Sequence, residues 1–135
     1  MARLTGLTVE AVQANRVEVA RTFATTHHVH VILKGHRTVV ATPDGKAYLN
    51  LTGNPGMASG GTGDVLTGVV AGWFSQLLDA EDASRLAVYL HGLAGDLAAA
   101  DEGEVAMVAG DIVDRLGDAV LELTAVTRRK PEAES

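Results

Sequence analysis

A chain of 135 residues suffices for one domain, and folding at this size buries about 68% of the surface of the unfolded chain. With 47% hydrophobic and 21% charged residues, and 15 glycines against 3 prolines, it is composed like a globular protein and not like a low-complexity one. A net charge of −6 excludes a broad cationic surface for nucleic acid or anionic membrane, and the lack of cysteine excludes disulfides and thiolate chemistry and suits a cytoplasmic protein.

Met1 leads into a polar segment, so no signal peptide is expected. Thr8 is placed to cap a helix running to about Thr25, with Val9, Val12, Val17, Ala20, Phe23 and Ala24 as an imperfect apolar stripe. Val29 to Leu33 is a β-branched run that predicts a buried strand. His28 and His30 would project on one strand face, as metal ligands can, but no third ligand stands at a recognisable spacing, and no metal site is expected. A strand from Thr38 to Ala41, the turn Pro43-Asp44-Gly45 and a strand from Lys46 to Leu51 form a hairpin. Between the first two strands, Lys34-Gly35-His36-Arg37-Thr38 puts a cation, a permissive backbone position and a hydroxyl at a strand end. Such ends bind ligands in α/β folds, and they are also ordinary solvated connections. Asn50-Leu51-Thr52 is a glycosylation sequon in form only.

The segment from Gly53 to Asp64, Gly-Asn-Pro-Gly-Met-Ala-Ser-Gly-Gly-Thr-Gly-Asp, carries most of the chemistry. Its glycines leave the backbone open, so the amides of Gly60, Gly61, Thr62 and Gly63 can converge on a phosphate or a developing oxyanion. The helix predicted next adds its positive end. Asp64 falls in that helix's first turn, where a carboxylate is favoured; it can take a proton from a bound hydroxyl or simply cap the helix. A P-loop is excluded, because Gly45-Lys46 is followed by Ala47. A dinucleotide fingerprint is excluded too, because Leu66 stands where the spacing from Gly61-Thr62-Gly63 needs Gly or Ala, and no strand comes immediately before.

Val65, Leu66, Val69, Val70, Trp73, Phe74, Leu77 and Leu78 share one broad helical face, which predicts a helix through the core and a rigid support for the loop. Gly68-Val69-Val70-Ala71-Gly72 offers a small-residue surface for close packing. The window Val65 to Leu78 is shorter than the roughly 20 residues of a membrane span. Two more helices are predicted, from about Glu81 to Ala100 and from about Ala109 to Leu123. His91 flanks the stripe of the first of these and is read as a structural core histidine. The chain then divides into a domain over 1–127 and a solvated tail over 128–135, beginning Arg128-Arg129-Lys130-Pro131.

The run from Asn54 to Gly68, Asn-Pro-Gly-Met-Ala-Ser-Gly-Gly-Thr-Gly-Asp-Val-Leu-Thr-Gly, resembles the signature of the ADP/ATP-dependent NAD(P)H-hydrate dehydratases, a branch of the ribokinase-like superfamily. Lys34 to Thr38 and His91-Gly92-Leu93-Ala94-Gly95-Asp96 are similar to segments of the same family. The resemblance implies an α/β, ribokinase-like fold with a central sheet and flanking helices in three layers. It implies a lyase that returns hydrated NAD(P)H to NAD(P)H at the expense of ADP or ATP, with Mg²⁺ able to accompany the nucleotide. Carried over by position, Asp64 is the catalytic base and a substrate contact, and Gly60, Gly61, Thr62 and Gly63 form the anion hole. Lys34, Gly35, His36, Arg37, Thr38 and Gly63 contact the nucleotide. A homo-oligomer is expected on the same ground. Asn15-Arg16-Val17-Glu18 also fits the Asn-x-x-Glu spacing that ribokinase-like enzymes use near magnesium, a pattern short enough to recur by chance.

The resemblance covers Met1 to about Leu123 but matches only the C-terminal part of the family's domain. The chain therefore reads as a fragment, a misassigned start, or a protein that associates to cover the gap. Two rival functions are a ribokinase-like kinase of a small molecule such as a vitamin precursor, and a non-catalytic nucleotide-binding or assembly module.

Overall fold

The computed structural model describes residues 1–129. Helices α1 (Ala2–Thr5), α2 (Val9–Ala14) and α3 (Arg16–His27) lead into strands β1 (Val31–Leu33), β2 (Val39–Ala41) and β3 (Ala47–Leu49). A 3₁₀ turn at Pro55–Ala58 precedes α4 (Thr62–Leu77), α5 (Ala80–Glu102) and α6 (Ala109–Arg129). The strands form one sheet in the order β1-β2-β3, and both pairings are antiparallel. Val40 sits opposite Ile32 on one side and Tyr48 on the other.

Three layers follow from the alternation along β2, whose residues are all buried. Val39 and Ala41 pack with Ala20 and Ala24 of α3, while Val40 faces the other way into a cluster with Leu66 of α4 and Val88 of α5. The sheet thus lies between α3 and the α4–α5 pair, and α6 packs on α5 through Leu90, Ala94, Ala98, Ile112 and Ala119. Side chains tie the hairpin to α5 as well. The Tyr48 hydroxyl donates to Glu81 at 2.6 Å and holds that carboxyl below its usual range, with Lys46 adding to the effect, and Arg85 lies 3.9 Å over the Tyr48 ring.

Several expectations change. Thr8 does cap a helix, accepting from the Ala11 amide, but the predicted helix to Thr25 is two helices. Asn15 leaves the helical region at φ −137 and ψ 46, ending α2 and opening α3. The imperfect stripe is therefore two stripes, each with its own phase. His28 and His30 do not share a strand face: His28 ends α3 in the left-handed region, and β1 starts only at Val31. Among the described residues no group of three or more His, Asp or Glu could hold a metal ion.

α4 is not the core helix; Thr62 and Leu66 are its buried residues, and Phe74, Leu77 and Leu78 are exposed. Its apolar band is wider than one neighbour can cover, and among the described residues one side of it stays bare. Nothing comes within 4 Å of a Cβ built at Gly68 or Gly72, so the small-residue surface is not a close-packing site here. α5 takes the central place instead. Its Ala83, Ala87, Gly92, Ala94, Gly95 and Ala98 are all buried and short enough to let α4, α6 and the glycine loop approach. α6 runs on through Arg128 and Arg129 of the expected tail; positions 130–135 lie outside the described residues. No helix among the described residues is long and apolar enough to cross a membrane.

Candidate active site

The glycine loop is held at its start by α5. Asp96 accepts from the Gly53 amide at 3.0 Å and from the Asn54 side-chain amide at 2.9 Å. Just upstream, Asn50 donates to the Val88 carbonyl at 3.1 Å and the Thr52 hydroxyl to the Tyr89 carbonyl at 2.8 Å. Asn54 in turn receives the Gly56 amide, which starts the 3₁₀ turn. At the other end, the Thr62 hydroxyl reaches back to the carbonyls of Met57 and Ser59 at 2.7 and 3.1 Å. Gly61 supplies the left-handed φ of 87° that the entry into α4 requires.

With the loop held this way, the amides of Gly60, Gly61, Thr62, Gly63 and Asp64 make no backbone hydrogen bond of normal length and angle among the described residues. The first hydrogen bond of α4 runs from Val65 to Gly61, so the opening amides are left for an outside acceptor. An array of open amides at the start of a four-turn helix suits an anion.

Lys34 reaches this array from the end of β1. A Cβ on Gly63 would stand 2.5 Å from the Lys34 ammonium nitrogen, so the cation occupies the space that the missing side chain leaves open. The rest of the basic turn is arranged differently. The Thr38 hydroxyl turns inward to the Gly35 carbonyl at 3.2 Å, and His36 and Arg37 are exposed, Arg37 at a left-handed φ of 55°. The turn is braced from below by Arg16, whose guanidinium lies against Gly35 and donates to the Leu33 carbonyl at 2.9 Å. Arg16 belongs to the Asn-x-x-Glu stretch, in which Glu18 pairs with Arg21 on the exposed side of α3.

Asp64 is the third residue of α4, exposed, and its carboxylate makes no hydrogen bond or ion pair among the described residues. It does not cap the helix; Gly61 occupies that position. It stands at the rim of a groove of about 520 Å³ between α4 and α6, lined mainly by apolar side chains including Val65, Trp73, Leu116 and Val120. A free carboxylate next to free amides and a lysine is an arrangement that can take a proton from a hydroxyl while a phosphoryl group is held.

A model of the family described as NAD(P)H-hydrate dehydratase matches residues 1–117. The chain belongs to the NAD(P)H-hydrate dehydratase family. Among similar family members, the bifunctional NAD(P)H-hydrate repair enzyme Nnr of Moorella thermoacetica is 52% identical over 116 residues, covering 86% of this chain and 22% of the relative. The ADP-dependent (S)-NAD(P)H-hydrate dehydratase of Bacillus subtilis is 40% identical over 114 residues, covering 84% of this chain and 41% of the relative. A crystal structure of the Bacillus subtilis ADP/ATP-dependent dehydratase, co-crystallised with ATP/Mg²⁺ and soaked with CoA, superposes with a TM-score of 0.87 at 37% identity, over 90% of this chain and 45% of that one. The chain thus spans less than half the length of these dehydratases, and the three-layer, ribokinase-like reading holds for that part of the domain.

His91, read from the sequence as structural, is 7% exposed and its Nε2 lies 2.9 Å from the Thr62 carbonyl. A carbonyl only accepts, so Nε2 carries the proton. Burial pushes the imidazole below its ordinary value, with the Lys34 charge acting in the same direction and the bond to Thr62 opposing it. The native chain therefore takes up this proton at lower pH than the unfolded chain. Stability from His91 is complete above the unfolded value of about 6.5 and is lost as pH falls from there toward the lowered folded value. The thermal midpoint should fall between about pH 7.5 and pH 5.5, and by less in His91→Gln, which has no imidazole to titrate. Equal falls in both proteins would assign the loss to other groups.

Proposed function

We propose that this chain provides the nucleotide and phosphoryl-transfer part of an NAD(P)H-hydrate dehydratase. In that reading ADP or ATP gives its terminal phosphoryl group to the hydroxyl of hydrated NAD(P)H, and departure of phosphate restores the nicotinamide. The observation that carries it is the set of free amides from Gly60 to Gly63 with Lys34 over Gly63 and Asp64 one residue on. The amides and the ammonium would hold the transferring group, each amide contributing roughly 2.7–4 kcal/mol by analogy with oxyanion donors. Asp64 would take the hydroxyl proton. Gly35, His36, Arg37 and Thr38 would complete the nucleotide contacts around Lys34. Mg²⁺ would come with the phosphates, since this ion ordinarily keeps much of its water and is held through substrate phosphate oxygens. A cytoplasmic setting and association with further copies of the chain belong to the same reading.

The test is turnover of hydrated NADH with ADP and with ATP, following reduced-nicotinamide absorbance and inorganic phosphate together. One phosphate released per NADH recovered supports the reading. A stable phosphorylated substrate without NADH would make the chain a kinase, and nucleotide binding without turnover would make it a non-catalytic module.

A further inference from the structure

Four residues on one face of α5, His91, Gly92, Gly95 and Asp96, meet the glycine loop and the residue just before it. They stand at i, i+1, i+4 and i+5, so they share a side of the helix within about 7.5 Å along its axis. Asp96 holds Gly53 and Asn54, and His91 holds Thr62. Between them the two glycines let the loop lie directly on the helix. A Cβ at Gly92 would stand 2.7 Å from the Thr52 carbonyl carbon, and one at Gly95 would overlap the Met57 side chain. The loop is therefore an arch with both feet on the same helix face.

The His91 contact has a directional consequence for the site. In a planar trans peptide the C=O and the N–H point to opposite sides. The Thr62 carbonyl also accepts the second intrahelical bond of α4, from the Leu66 amide, so the His91 donor adds a tertiary bond to a peptide at the open end of the helix and helps hold the Gly63 N–H on the side opposite that carbonyl. Gly63 is the residue over which the Lys34 ammonium stands.

We propose that His91 is a positioning residue: its Nε2–H pins the Thr62–Gly63 peptide so that the Gly63 amide is presented, beside Lys34, to a phosphoryl oxygen, while Gly92 and Asp96 fix the far foot of the arch and Gly95 seats Met57 between the two. The part concerning the phosphoryl group rests on the nucleotide reading above. A core histidine with no bearing on the site would stabilise α5 and leave the Gly63 amide indifferent to its donor.

Three variants separate these roles in the full chain. His91→Gln carries an amide N–H at a reach comparable to Nε2. His91→Asn carries one too short to reach Thr62, and His91→Leu fills the space with no donor. The readouts are the amide resonance of Gly63 in an ¹H–¹⁵N spectrum, the affinity for ADP per folded molecule, and the thermal midpoint. Asn and Leu should both shift the Gly63 resonance and weaken ADP by about 10- to 100-fold, the range seen when a group that orients a ligating group is lost. Gln should restore both readouts, whatever the midpoints do. An unmoved Gly63 resonance and unchanged ADP affinity in folded His91→Asn would overturn the proposal. If the parent chain fails to bind ADP while the Gly63 resonance still follows the donor at 91, the orienting role stands and the nucleotide reading falls.

Discussion

Asp64→Asn is expected to lower turnover of hydrated NADH by about 10²–10⁴-fold, the range that a positioned general base contributes. The thermal midpoint should hardly move. Asp64 is exposed and its carboxylate has no partner among the described residues, so the amide replaces it without disturbing packing. What is lost structurally is an attraction to the helix's positive end of about 0.3–1 kcal/mol. ADP affinity should hold or rise, because the variant removes a negative charge from a phosphate site. Turnover within a few-fold of the parent would exclude Asp64 as the base, and loss of ADP binding would make it a ligand contact instead.

The second large effect is expected at the pair formed by Lys34 and Gly63. Lys34→Met keeps most of the unbranched stem of the side chain and removes the cation. It should weaken ADP about 10- to 100-fold, the equivalent of one charge-assisted hydrogen bond of about 1.5–3 kcal/mol. Gly63→Ala should produce a comparable loss by another route, since its methyl would stand 2.5 Å from the ammonium nitrogen and displace it. The two variants differ usefully in stability. Gly63 lies inside α4, where alanine is the better helix former by about 1 kcal/mol, so Gly63→Ala should be at least as stable as the parent while binding less. ADP calorimetry beside thermal melts reads both. Undiminished affinity in Gly63→Ala would mean that the lysine does not act over that glycine.

The parts of the site that were legible in the sequence are those set by local chemistry. The glycines from Gly60 to Gly63 announce an open backbone, and Asp64 a carboxylate in the first helical turn. The β-branched runs and Pro43-Asp44-Gly45 mark the strands and their turn for the same reason. The less legible parts depend on elements distant in the chain. Nothing near Lys34 says that its ammonium ends over Gly63, 29 residues away by number, and nothing near Asp96 says that it receives the Gly53 amide, with a separation of 43. Asn50-Leu51-Thr52 reads as an idle sequon, whereas its side chains bind the loop to α5. Apolar content does not rank the helices by centrality. α4 is the more apolar helix, but α5, rich in alanine and glycine, is the one that other elements can approach from several sides. The break at Asn15 leaves only a weak trace, since Val12 and Val17 are five residues apart and fit no single helical stripe.

In the proposed function the amides opening α4, with Lys34, receive the phosphates of an adenine nucleotide. The most direct measurement is an ¹H–¹⁵N titration of the chain with ADP. The largest shifts should fall on the amides of Gly60, Gly61, Thr62, Gly63 and Asp64, and Lys34→Met should raise the ADP concentration needed to produce them. Shifts gathered elsewhere, or no shifts at these five amides at any ADP concentration, would contradict it.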